Sequence, residues 1–343
     1  SFSLIHEAAA DIKALEQEIA ELTKEADPDG KGVEVETSTV NASDDSIGED
    51  EMAKGLMYTL NHFKEATGQG LSLKSLKENF GNLAKEGAER VQNFRKIVAA
   101  GAFDPAFHPI VNVKSGKIHH YEALVRFRGK AKDASPFREI TFAEESDLIH
   151  EFDIMMAKKV IAWLSKKPRN SDAYNVAVNV SGNSIDNDMY LDQLDKLLKE
   201  NDWTKGKISF EITESARMSD LDSANNFIQR LRGAGYEVCL DDFGAGSASF
   251  QYLSTLDVDI VKLDGSAVKN AEKSKKGRAF LSALTELCRR LGVETVGEMI
   301  DSPQTLAFVR DCNVDYVQGF LFGKPSHDLK DFDPLPHREL MSW

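Results

Sequence analysis

The chain has 343 residues, 41% of them hydrophobic, enough for a barrel-sized domain with an appendage or for two ordinary domains, with a sizeable buried core. Its formal net charge of -14 excludes non-specific binding to a nucleic-acid polymer, which needs a basic face, and an anionic substrate would have to be held by metal ions or by local Lys and Arg. Cys239, Cys288 and Cys312 stand in no zinc-type spacing, which points to a reducing, cytoplasmic setting, and no apolar run nears the roughly 20 residues that span a bilayer.

Residues 1–26 read as a coiled-coil helix, with Ile5, Ala8, Ile12, Leu15, Ile19 and Leu22 at alternating spacings of three and four. That seam suits a parallel dimer; a single amphipathic helix lying on its own domain is the other reading. The helical pattern already runs at Ser1, so an upstream sensor or membrane anchor is expected in a longer parent. Residues 27–51, acidic and carrying Pro28, Gly30 and Gly32, read as a flexible linker. Residues 52–85 form a helical connector, with helices around 51–66 and 84–100, and residues 86–335 form the main domain.

Within that domain Phe107–Val111 and Lys117–Glu122, joined by Ser115-Gly116, predict an antiparallel hairpin. Six β-like runs follow, at 174–179, 207–211, 236–242, 259–262, 293–298 and 315–318, most separated by helix-length stretches. Helices are expected over 142–164, 220–234, 275–292 and 302–312. The pattern is that of an α/β parallel barrel, whose strand ends share one rim that carries the chemistry. Glu122, Asn179, Glu211, Asp241, Asp242, Lys262, Glu298 and Gln318 should meet there.

Five carboxylates at one mouth need cations or strongly raised pKa values. Oxygen donors without His or Cys favour hard ions such as Mg²⁺ or Mn²⁺. The adjacent Asp241 and Asp242 suit a pair of ions about 4 Å apart, the usual arrangement for attack of water on phosphorus. Lys262 could hold that water or neutralise charge developing on phosphorus, Glu298 could take its proton or anchor the second ion, and Arg126 could grip a phosphate. A Schiff-base lysine, as in carbon–carbon lyases, is the rival reading of Lys262.

Tyr121-Glu122-Ala123-Leu124-Val125-Arg126 resembles the signature of the EAL domain, the cyclic di-GMP phosphodiesterase family. The resemblance continues, in order, through Asn179-Val180-Ser181, Phe210–Ser215, Leu240–Gly244, Lys262-Leu263-Asp264, Glu298 and Tyr316–Phe322. It implies a TIM-like (β/α)8 barrel with one antiparallel strand and hydrolysis of cyclic di-GMP to linear pGpG. It implies two Mg²⁺ or Mn²⁺ ions on Glu122, Asn179, Glu211, Asp241, Asp242 and Glu298, with Lys262, Glu298 and Glu122 in catalysis. Arg126, Leu124, Gln318 and Asp264 would contact substrate. Glu214 would steady the loop after Asp242, a loop also linked to homodimer formation. The chain differs from the family pattern at His108 (family Gln), at Phe127-Arg128-Gly129-Lys130, at 245–250, at Gly265 (often Arg) and at Gly297–Asp301. No metal-ligand position is lost. A catalytically weak receptor that signals to a protein partner, for instance in motility or surface attachment, is the alternative the resemblance leaves open.

Overall fold

The computed structural model describes residues 11–26, 48–66, 73–129, 135–169, 171–213, 221–244 and 249–341. The chain forms two compact units that divide between Lys96 and Ile97. The first carries α1 (Ile12–Ala26), α2 (Glu49–Ala66) and the greater part of α3 (Leu73–Ala99). Helix α1 leaves Ile19 38% and Leu22 58% exposed, so its apolar stripe is open. Helices α2 and α3 touch at Gly55 and Gly87, where a Cβ on Gly87 would stand 2.6 Å from the Gly55 carbonyl oxygen, so only glycine permits the approach. The boundary expected at 85/86 falls inside α3, which runs through it unbroken. Ile5, Ala8 and most of the expected linker lie outside the described residues.

The second unit is a closed barrel of eight strands among the described residues, β1 (Phe103–Asn112), β2 (Ile118–Phe127), β3 (Val176–Val180), β4 (Ile208–Thr213), β5 (Glu237–Phe243), β6 (Ile260–Leu263), β7 (Glu294–Gly297) and β8 (Tyr316–Val317). Strand β1 runs antiparallel to both neighbours, β2 and β8, and every other pair is parallel, as the hairpin and the βα spacing predict. Around the barrel lie α4 (Phe137–Glu145), α5 (Ile149–Leu164), α6 (Gly182–Ile185), α7 (Asp188–Glu200), α8 (Leu221–Gly233), α9 (Ser249–Thr255), α10 (Gly265–Glu272), α11 (Lys275–Leu291) and α12 (Pro303–Asp311). Local chemistry sets their ends. The Ser274 and Ser302 hydroxyls accept from Gly277 and Thr305 N–H at the starts of α11 and α12, and Gly292, at φ 75°, closes α11 in the left-handed conformation.

Two expectations are corrected. The single helix over 142–164 is broken into α4 and α5 at Ser146–Leu148, where Asp147 adopts φ 52° and fully buried Leu148 turns the chain inward. The second strand does not close on Glu122 but continues to Phe127, because the first half of β1 supplies backbone partners up to Phe103 opposite Phe127. Among the described residues, no helix is long and apolar enough to cross a membrane.

Candidate metal centre and active site

Inward-facing residues of a strand recur every second position, so a barrel interior is built in layers. Ile110, Cys239, Ile260, Val296 and Tyr316 form one buried apolar cluster. Two residues further along the same strands stand Asp241, Lys262, Glu298 and Gln318, and Glu122, Asn179 and Glu211 join them from β2, β3 and β4. Cys239 belongs to the apolar layer, and burial pushes its thiol well up, consistent with a small core residue.

Lys262, 1% exposed, is the centre of the charged layer. Its Nζ lies 2.9 Å from Glu298 Oε1, 3.0 Å from Glu211 Oε2, 3.1 Å from Asp241 Oδ1 and 3.4 Å from Glu122 Oε2. Glu122 also accepts from Asn179 Nδ2 at 2.9 Å and from Gln318 Nε2 at 2.8 Å. Asp241 and Asp242 would ordinarily point to opposite faces. The pairing of β5 with β6 slips between Leu240 and Phe243, and Asp242 sits at φ 56°, which turns both carboxylates to the site. The Asp242 N–H then donates to Asp241 Oδ1 at 2.9 Å.

The electrostatics are those of a site short of positive charge. Burial, then repulsion from Asp241 and Glu122 against the pull of Lys262, pushes Glu298 up to about 7. Burial and the neighbouring Asp241 push Asp242 up to about 6, and Glu211 is driven well above the usual carboxylate range, mainly by burial. Burial would raise Glu122 as well, but Lys262 with the two amide donors outweighs it and holds Glu122 near 2. Burial works against the Lys262 ammonium, yet the surrounding carboxylates win and raise it well above its ordinary value. A Schiff-base lysine needs the opposite.

Ligand atoms of Glu122, Glu211 and Asp241 lie within 4.8 Å of one another, as do those of Asp241, Asp242 and Glu298, so two acidic triads share Asp241. Fully ionised, five carboxylates and one ammonium carry four negative charges, the amount that two divalent cations would balance. Glu211 Oε1, fully buried, has no hydrogen-bond partner among the described residues, an orphaned oxygen that a cation would satisfy. The all-oxygen donor set suits a hard ion. Such a centre can orient water against an anionic phosphodiester.

The other expected residues fall as follows. Leu124 and Arg126 follow Glu122 on the same face of β2, both half-buried, and Arg126 Nη1 donates to the Val125 carbonyl at 2.8 Å. Asp264 caps α10, its Oδ1 accepting from Ser266 and Ala267 N–H at 3.0 and 3.1 Å. Glu214 and residues 245–248 lie outside the described residues. His108 pairs with Glu122 in the β1–β2 ladder, and its buried Nε2 has no partner. Met299, at φ 53° and 49% exposed, lies directly over Gly265, where any Cβ would overlap its side chain.

Sequence reasoning passed over Glu144 and Asp153. Asp153 is 4% exposed on the inward face of α5, among Ile149, Phe152, Met156, Ala157, Val160 and Ile161. A lone acid on a helical stripe that is apolar but for His150 was the available signal.

A family model described as the EAL domain matches residues 91–325. Among curated proteins, the cyclic di-GMP phosphodiesterase PdeB of Shewanella oneidensis is 31% identical over 212 residues, 62% of this chain and 25% of that protein. The cyclic di-GMP phosphodiesterase NbdA of Pseudomonas aeruginosa is 28% identical over 236 residues, 68% of this chain and 30% of that protein. The chain therefore spans between a quarter and a third of the length of these relatives. Among solved structures, the Xanthomonas citri FimX EAL domain in complex with c-diGMP shares the fold at TM-score 0.62 and 22% identity, covering 69% of this chain and 92% of that one. The PaMucR phosphodiesterase, solved as a c-di-GMP complex, does so at TM-score 0.61 and 23% identity, covering 74% and 99%.

Proposed function

The chain belongs to the EAL domain family, and on that premise we propose that it hydrolyses cyclic di-GMP to linear pGpG, using two Mg²⁺ or Mn²⁺ ions. The observation that carries the reading is the pair of acidic triads sharing Asp241 around one buried lysine. Glu122, Asn179, Glu211, Asp241, Asp242 and Glu298 would hold the ions. When bound, these supply Lewis-acid activation of water and neutralise the phosphodiester. Lys262 neutralises charge as it grows on the phosphoryl oxygens, and Glu298, poised near neutrality, takes the water's proton. Gln318 and Asn179 fix the Glu122 carboxylate, and Arg126 would grip a phosphate. The open apolar stripe of α1 supports a homodimer through that helix. An upstream sensor in a longer parent would act through it.

The test is turnover of cyclic di-GMP by the purified chain with Mg²⁺ and with Mn²⁺, beside Glu122→Ala. Linear pGpG from the wild type and none from the variant is the expected result. Tight binding without product in either metal would make the chain a receptor, and His108, standing opposite Glu122 where the family pattern has Gln, is the feature that would favour that outcome. No binding at all would overturn both readings.

A further inference from the structure

Asn179 donates its Nδ2 to Glu122 Oε1 at 2.9 Å, so that the Asn179 Oδ1 is the atom it can offer a cation. Just beyond it the chain leaves β3 and turns into α6, a helix of four residues. So short a helix cannot set its own direction. Instead the turn is tied down from α4 and α5. The Ser181 N–H and the Ser184 hydroxyl both donate to Asp153 Oδ2, at 2.9 and 2.7 Å. The Ser181 hydroxyl donates to Glu144 Oε1 at 2.9 Å, and Asn183 Nδ2 donates to the Glu144 carbonyl at 3.1 Å. The same Ser181 Oγ also accepts from Asn183 N–H, at a long 3.4 Å.

We propose that Asp153 is a positioning residue for the metal centre, holding the Ser181–Ser184 turn and through it the direction in which Asn179 presents its Oδ1. Asn179 is thus gripped from two sides, by Glu122 within the barrel and by the Asp153-anchored turn outside it. A residue kept there for packing alone would be apolar, like most of its neighbours on α5, because a buried carboxyl is costly. Burial does push this one up to about 7, against the pull of its two donors. The inference rests on the two-ion reading and names the support of one of its ligands. Supports of this kind alter metal affinity by roughly 10–100-fold when removed.

The experiment is Mn²⁺ titration by calorimetry of the full chain without substrate, on wild type, Asp153→Ala and Asp153→Asn, with melting curves alongside. Asp153→Ala should weaken Mn²⁺ binding by about 10-fold or more and raise the Mn²⁺ concentration for half-maximal turnover, leaving kcat at saturating metal near wild type. Asp153→Asn, whose carbonyl can accept from both donors, should recover most of the affinity. Should Asp153→Ala fail to fold, Ser184→Ala removes one of the two donors and should shift affinity by a smaller factor. A lowered melting temperature with unmoved Mn²⁺ affinity in these variants would overturn the inference and leave Asp153 a packing residue. A wild type that binds no Mn²⁺ would overturn the two-ion reading and this inference with it.

Discussion

Two layers of the barrel sit two residues apart on the same strands and differ in almost everything else. The lower one, Ile110, Cys239, Ile260, Val296 and Tyr316, is dry and closely packed. The upper one gathers five carboxylates, four of them on one ammonium, and pushes several of them far from their ordinary titration. Burial stabilises the first layer and strains the second, and the strained layer is where the chemistry is. The difference teaches that a barrel separates holding together from reacting by a single pleat.

Substitutions can break that contrast or sharpen it. The largest effect belongs to the upper layer: Glu298→Gln should lower turnover by about 10²–10³-fold while raising the melting temperature of the metal-free protein, since it removes a repelled carboxylate. A lowered metal-free melting temperature would show that the rim is not strained. In the lower layer Ile260→Ala should cost about 2–5 kcal/mol in denaturant unfolding, with kcat per folded molecule near wild type.

A pH series probes the same strain. Glu298 is raised in the folded state to about 7, so its contribution to stability is present below about 4.5 and is lost as pH rises through 7. The metal-free protein should therefore melt at lower temperature at pH 8 than at pH 5, and saturating Mn²⁺ should reverse the trend, because metal binds the ionised form. Scanning fluorimetry checks both signs. The smallest effect on stability is expected at Asp264, whose replacement by Ala removes the α10 cap and should cost about 0.5–2 kcal/mol in denaturant unfolding.

Much of this was legible in the residues. Short β-like runs separated by helix-length stretches pointed to the barrel, and the Ser115-Gly116 turn pointed to the reversed first strand. The strand-end carboxylates were legible because parallel topology fixes which end each occupies. What escaped depended on contacts distant in sequence. The slip in β5 that brings Asp242 beside Asp241 is a register event set by β6, and no local pattern encodes it. The break at Asp147 hides inside a run whose apolar spacing reads as continuous helix. Asp153 could be seen as an odd acid on an apolar face, but its partners lie 28 and 31 residues away.

The Met299–Gly265 contact constrains the order in which this rim can change. A side chain introduced first at 265 would collide with Met299, whereas Met299→Gly opens that space and also relieves a backbone held at φ 53°. The two positions are therefore coupled, and a side chain at 265 needs Met299 to shift or be replaced.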